Sequence, residues 1–242
     1  MNDFSALPRL SEPLPVLIVM HGLDSSPGRV GQLLRRRGHE LDVRKPRFGD
    51  KLPSTLERHA GAVIFGGPMS ANDADEFIRD EIEWIGVPLR EKKPFLGVCL
   101  GGQMLAKQLG ARVTSHAEGL VEIGYKPVLP TKLGAELGVW PGKFYQWHSE
   151  GIEMPAGCEL LASGDAFPNQ AFRFGKTAVG LQFHPEITYS LVNRWVNSAA
   201  EHLVKPGAEV PDAQRRDHVL HAKGVGDWLG RMLDQWLGVV PA

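Results

Sequence analysis

Three short apolar runs, each stopping at small or reactive residues, constrain the fold of this chain more than any other feature. Val16-Leu17-Ile18-Val19 leads to His21-Gly22, Ala62-Val63-Ile64-Phe65 leads to Gly66-Gly67-Pro68, and Phe95-Leu96-Gly97-Val98 leads to Cys99. A strand with one wet face alternates apolar and polar residues, whereas an unbroken run suits a strand covered on both faces. Such strands belong to parallel sheets, whose crossovers lay helices over each face. The intervening sequence supplies the helices. Residues 27–37 fit a helix closed by Gly38, and Leu41-Asp42-Val43 fits a second strand. Phe77, Ile78, Ile82, Trp84 and Ile85 recur at mostly helical spacing behind acidic residues suited to a helix start. Residues 100–109, stopped by Gly110, read as a further helix. The expected class is α/β with a mainly parallel sheet.

Beyond residue 113 the pattern changes. Residues 113–183 are rich in Gly and Pro, with strand-like pieces over 121–128, 143–147 and 179–183 for which antiparallel connections are expected. Ile187, Leu191, Trp195 and Ala199 fall at i, i+4, i+8 and i+12, an amphipathic helix expected to pack on the sheet. After Pro206, a stripe of Val225, Trp228, Leu229, Met232, Leu233, Trp236 and Leu237 suits core or a dimer contact better than a cofactor or membrane site. A length of 242 residues suits one domain over 1–242, with a core at about 15–203 and a helical extension over 204–242. The extension is expected to dock a synthase subunit or complete a homodimer.

Composition narrows the function classes. A formal net charge of −1, with Lys and Arg scattered apart from Arg35-Arg36-Arg37, offers no stripe for a nucleic-acid backbone. Those three arginines read as a solvated helix end. The run over 14–20 is too short to span a bilayer. It follows Asp3 and Glu12 with only Arg9 as a basic flank, so it does not read as a secretory signal. A cytoplasmic protein without membrane association is expected. Cys99 and Cys158 lie far apart in no C-x-x-C arrangement, which suggests neither a disulfide framework nor a zinc site. His116 and His148 match no ligand spacing and are read as structural, and no metal or cofactor is expected.

Cys99 stands between an apolar strand and a helix, in Gly97-Val98-Cys99-Leu100-Gly101-Gly102-Gln103. A helix N-terminus stabilises a thiolate, and glycines two residues to either side permit the tight strand–nucleophile–helix elbow. At average composition two glycines at those positions would coincide about once in two hundred. A nucleophilic cysteine needs a base, and the base an orienting carboxylate. His184 and Glu186 in Gln182-Phe183-His184-Pro185-Glu186 offer both, at the end of a strand where α/β sheets gather their active-site loops.

Together these motifs resemble the class I glutamine amidotransferases, especially the glutaminase domain of GMP synthase, over residues 15–203. Gly66-Gly67-Pro68 and Gln146-Trp147-His148-Ser149-Glu150 complete the likeness. The resemblance implies a three-layer, flavodoxin-like α/β sandwich around a mixed sheet. It implies that Cys99 attacks the glutamine carboxamide, that the N–H groups of Gly67 and Leu100 form the oxyanion hole, and that His184, oriented by Glu186, moves the protons. Gln103 and Ser149 would contact the substrate. The chain lacks the Ser-Gly-Gly-x-Asp-Ser loop of the synthase half, so the ammonia would go to a separate subunit. Two alternatives are a free-standing γ-glutamyl peptide or amine hydrolase and a regulatory subunit with a relict site.

Overall fold

The structure is a computed structural model that describes residues 13–238; Asp3, Arg9 and Glu12 lie outside the described residues, as do 239–242. In chain order the first half comprises β1 (Val16–Val19), α1 (Gly28–Arg36), β2 (Leu41–Arg44), β3 (Gly61–Ile64), α2 (Glu76–Trp84), α3 (Gly86–Glu91), β4 (Phe95–Val98) and α4 (Leu100–Gln108). The second half comprises β5 (Val113–Ser115), β6 (Glu122–Pro127), β7 (Leu129–Pro130), β8 (Lys143–His148), β9 (Glu150–Ile152), β10 (Cys158–Ser163), β11 (Ala171–Phe174), β12 (Ala178–Leu181), α5 (Tyr189–Ser198) and α6 (Pro211–Trp236).

Eight strands form one sheet in the order β2-β1-β3-β4-β12-β11-β10-β7. The first five are parallel, and β12, β11, β10 and β7 then alternate in direction. The sheet is mixed and mainly parallel, as expected. One expectation changes: β12 pairs antiparallel with β11 but parallel with β4, so the Gly- and Pro-rich half returns into the centre of the sheet. That return positions the site. Val19 lies beside Ile64, Ile64 beside Gly97, and Val98 beside Leu181. The segments after these residues, carrying His21, Gly66-Gly67, Cys99 and His184, therefore leave one edge of the sheet together, outside the carboxyl ends of its parallel strands.

Alternation along each apolar run explains the layers. Val16, Ile18, Val63, Phe65, Leu96 and Val98 point to one face with Val30 and Leu34 of α1. Leu17, Val19, Ala62, Ile64 and Phe95 point to the other, under Ile78, Val87, Leu100, Met104 and Leu105 from α2, α3 and α4.

The first face is completed by α6. Val225, Trp228, Leu229, Met232, Leu233 and Trp236 are buried in the same core as β1, β3 and β4, with Leu237 packed against it. The apolar stripe is thus internal packing. It is not the docking surface for a synthase or a second copy that the sequence suggested, because the face of the sheet flanking α1 consumes it. Truncating the fully buried Trp228 to Ala would cost about 3–5 kcal/mol. Arg37 ties the two helices on this face through Asp234 at 2.7 Å and the Gly230 carbonyl at 2.8 Å, while Arg35 and Arg36 are exposed.

The helix α5 also departs from expectation. Leu191, Val192 and Val196 pack with Tyr125 and Tyr145 of a separate antiparallel ribbon, β6-β8, rather than on the central sheet. The central sheet's face is already occupied by α1 and α6, so the apolar stripe of α5 covers the ribbon.

Candidate active site

Cys99 is the single residue between β4 and α4, and its backbone adopts φ 50° and ψ −106°. A non-glycine residue with positive φ is strained, and strain of this kind persists where the surroundings hold it. Here the Cys99 N–H donates to the Leu181 carbonyl at 2.8 Å and its carbonyl accepts from the Gln103 N–H at 2.9 Å. Small neighbours are obligatory: a Cβ at Gly101 would collide with the carbonyl oxygen of Ile64. Cys99 is 6% exposed. It lies at the floor of a cleft rather than on the outer surface.

His184 and Glu186 follow β12, and the His184 N–H is held by the Tyr145 carbonyl at 2.8 Å. The Glu186 carboxylate curls back across Pro185 to place Oε1 2.7 Å from His184 Nδ1. Both side chains are buried, and the other ring nitrogen, Nε2, has no hydrogen-bond partner. The ring stands edge-on to Trp195, with centroids 4.9 Å apart. Burial alone would lower the pKa of His184, but the Glu186 carboxylate and then the Cys99 sulfur outweigh it and raise it to about 10. One nitrogen is locked by the carboxylate and the other has no hydrogen-bond partner.

Gly66 and Gly67 occupy the space between this pair and a second histidine. A Cβ at Gly66 would stand 2.9 Å from His184 Cε1 and 3.4 Å from Cys99 Cβ. A Cβ at Gly67 would stand 2.9 Å from His21 Cβ. Neither the Gly67 nor the Leu100 N–H donates a backbone hydrogen bond among the described residues. Both residues line the cleft that holds Cys99.

The cleft has a volume of about 630 Å³. Beyond Cys99 its wall includes Trp147, Trp195, Arg194 and His202, and Arg194 donates to the carbonyl of Asp24 at 2.6 Å. Ser149 is exposed at the mouth, between β8 and β9. Gln103 also lines the cleft, but its Nε2 donates to the Glu150 carbonyl at 3.0 Å and reaches Gln182 Oε1 at 3.4 Å. It braces the 147–150 loop in addition to facing the cleft. Glu150 in turn accepts from Ser70 at 2.7 Å and from Asn72 at 3.2 Å.

His148 has both nitrogens engaged, and His116 accepts from the Glu118 N–H. Cys158, half-buried in β10, has its thiol pKa raised to about 11 by burial. Among the described residues no three His, Cys, Asp or Glu side chains gather as a metal site.

The sequence reading missed His21 and Glu81. Glu81 sits at i+3 from Ile78 and i−4 from Ile85, on the buried face of α2. A carboxylate on the apolar stripe of an amphipathic helix was the available signal.

The sequence profile of the family described as "Glutamine amidotransferase class-I" matches residues 24–196. The chain is 25% identical over 233 residues to the glutamine amidotransferase-like protein YfeJ of Salmonella typhimurium, covering 92% of this chain and 93% of that protein. It is 34% identical over 168 residues to the GMP synthase of Porphyromonas gingivalis, covering 66% of this chain and 31% of the synthase; the chain thus spans about a third of that relative. Among solved structures, a glutamine amidotransferase from Methylobacillus flagellatus superposes with a TM-score of 0.86 at 25% identity, covering 95% of this chain and 96% of that one. One from Thermotoga maritima superposes with a TM-score of 0.82 at 28% identity, covering 93% and 98%.

Proposed function

The chain belongs to the class I glutamine amidotransferase family, and from that premise we propose that it hydrolyses the γ-amide of glutamine through a Cys99-His184-Glu186 triad. The observation that carries this reading is the strained Cys99 elbow sharing one cleft with His184, whose Nε2 is unpartnered while Glu186 holds Nδ1 at 2.7 Å. Cys99 passes its thiol proton to His184, its sulfur adds to the carboxamide carbon, and the carbonyl π electrons move onto oxygen. The Gly67 and Leu100 N–H groups receive that oxyanion, each donor being worth about 3–4 kcal/mol of barrier. The oxyanion collapses, the C–N bond breaks, and the His184 imidazolium protonates the departing nitrogen, which leaves as ammonia. The now neutral His184 removes a proton from water, whose oxygen attacks the γ-glutamyl thioester. Loss of the Cys99 sulfur, reprotonated by His184, releases glutamate. Glu186 holds the imidazole in place throughout.

Gln103 and Ser149 would meet the α-amino and α-carboxylate groups of the substrate. We take residues 1–242 as one amidotransferase domain, with α6 of its C-terminal extension completing the core. The two free cysteines suit the cytoplasm, and among the described residues no helix is long and apolar enough to cross a membrane.

A second reading is favoured by the size of the cleft. Pockets of about 300–1,000 Å³ accommodate ligands larger than one amino acid, and this one of about 630 Å³ continues past Cys99 to Trp147 and Trp195. Similarity that covers 92% of this chain and 93% of an amidotransferase-like protein also suits a free-standing γ-glutamyl peptide or amine hydrolase.

Ammonia and glutamate release from glutamine, and from a panel of γ-glutamyl peptides and amines, should be measured beside a Cys99→Ala control. Rapid cleavage of a peptide or amine selects the free-standing hydrolase. Slow glutaminase activity alone selects a glutaminase that supplies a separate synthase subunit. Absence of any Cys99-dependent turnover would overturn the free-standing hydrolase and leave either a site that forms only with its synthase partner or a regulatory subunit with a relict site.

A further inference from the structure

His21 and Glu81 form a second buried histidine–carboxylate pair beside the triad. His21 Nε2 lies 2.9 Å from Glu81 Oε2, and both side chains are 0% exposed. His21 Nδ1 lies 3.2 Å from the Gly66 carbonyl oxygen. A carbonyl only accepts, so Nδ1 carries the proton of that bond. The second proton is shared between Nε2 and Glu81, and both hydrogen bonds survive whichever of the two atoms holds it.

Burial of this pair is hard to explain as stabilisation. Glu81 projects from α2 on the face that buries Ile78 and Ile85, and its Oε1 has no partner. Removing a carboxylate from water costs several kcal/mol, and well-packed apolar residues in place of such pairs are commonly neutral or stabilising. What the pair reaches is the Gly66–Gly67 peptide. In a trans peptide the C=O and the following N–H point in opposite directions. A histidine that grips the Gly66 carbonyl therefore turns the Gly67 N–H away from itself, toward the cleft. The base of the ring also lies against Gly67, where a Cβ would come within 2.9 Å of His21 Cβ and 3.1 Å of Cγ.

We propose that His21, held by Glu81, is a positioning residue for the oxyanion hole, fixing the Gly66–Gly67 peptide with the Gly67 N–H aimed at the reacting carbonyl. The proposal rests on the reading of Gly67 as an oxyanion donor. It explains why a carboxylate is retained in an apolar layer and why two consecutive glycines separate two histidines. His184 needs no Cβ at 66, and His21 needs none at 67.

Two substitutions separate the functions of the ring nitrogens. Asn at position 21 keeps a donor near the place of Nδ1, within reach of the Gly66 carbonyl. Gln places its donor farther out, near Nε2, and leaves that carbonyl unheld. His21→Gln is expected to lower kcat by about 10²-fold or more with KM within about twofold, the effect of losing one oxyanion donor. Alkylation of Cys99 by iodoacetamide forms no oxyanion, so its rate should stay within about twofold of wild type. His21→Asn should recover most of kcat, with thermal unfolding measured on each variant to account for loss of folded protein. Equal losses in kcat and alkylation for His21→Gln would show general support of the elbow and overturn the proposal, as would an unchanged kcat. A crystal structure of His21→Gln supplies a readout independent of turnover. The Gly66–Gly67 peptide should be rotated there, and an unmoved peptide would overturn the proposal even if wild type proved inactive. Inactivity of wild type itself would count against the proposed reaction alone.

Discussion

His184 and His148 stand in the walls of one cleft, each almost fully buried and each next to a glutamate, yet only His184 keeps a ring nitrogen without a partner. His184 has Nδ1 on Glu186 at 2.7 Å and no partner at Nε2. His148 has Nε2 on Glu122 at 3.1 Å and Nδ1 on the Glu150 carbonyl at 2.9 Å. Glu122 also accepts from Gln170 at 2.7 Å, and Gln170 accepts from Gln146 at 2.6 Å. The first pair ends at a nitrogen without a hydrogen-bond partner; the second belongs to a network that runs through Glu122, Gln170 and Gln146 beside the β8–β9 turn. A buried histidine beside a carboxylate is therefore a base or a brace according to what its far nitrogen touches.

The largest effect that tests this contrast is on turnover. His184→Ala should lower kcat by about 10⁴-fold, as loss of the proton-transferring member of a triad does. His148→Gln, which keeps a donor in the network, should change kcat by less than about tenfold and act mainly on KM through the 147–150 loop. Comparable losses in a glutaminase assay would make His148 a second base and break the distinction. The carboxylates extend it. Glu186→Gln should lower kcat by about 10³- to 10⁴-fold, because a neutral amide no longer favours the imidazolium and can hold the wrong tautomer. Glu122→Ala should cost about 3–5 kcal/mol of folding stability in chemical denaturation, with kcat per folded molecule nearly retained. If Glu122→Ala left stability unchanged, the network around His148 would not be the brace described.

The two histidines also show what could be read in advance. His184-Pro185-Glu186 is local: the i, i+2 spacing across a proline announces the pairing, and the elbow around Cys99 is equally local. The unbroken runs over 16–19, 62–65 and 95–98 likewise announce buried strands, since nothing but burial on two faces calls for four apolar residues in a row. The partners that decide the remaining roles are distant in sequence. His148 meets Glu122 across a strand pair and His21 meets Glu81 across 60 residues, and no periodicity links them. The α6 stripe shows the same limit from another side. Its spacing is identical for a core helix and a docking helix, and what separates them is whether a sheet face near α1 stands uncovered. That depends on where α5 goes, which its own sequence leaves open between sheet and ribbon.

The smallest predicted effect concerns the charge of the triad histidine. An ordinary histidine titrates near 6.5, and in the folded chain His184 is raised to about 10. Folding therefore takes up a proton at this site between those values, and the stabilisation linked to it is complete below about pH 6.5 and lost as pH rises toward about 10. Subtracting the unfolding free energy of His184→Gln from that of wild type at each pH isolates this contribution. The difference should shrink steadily from about pH 7 to about pH 9.5. A parallel experiment on His148→Gln shares the denaturation chemistry and controls for it. If the His184 difference stayed flat across the window, burial would have cancelled the attraction of Glu186 and Cys99. The resting ring would then be neutral, and the Cys99 proton would move only when substrate arrives, which places the proton transfer within the chemical step instead of before it.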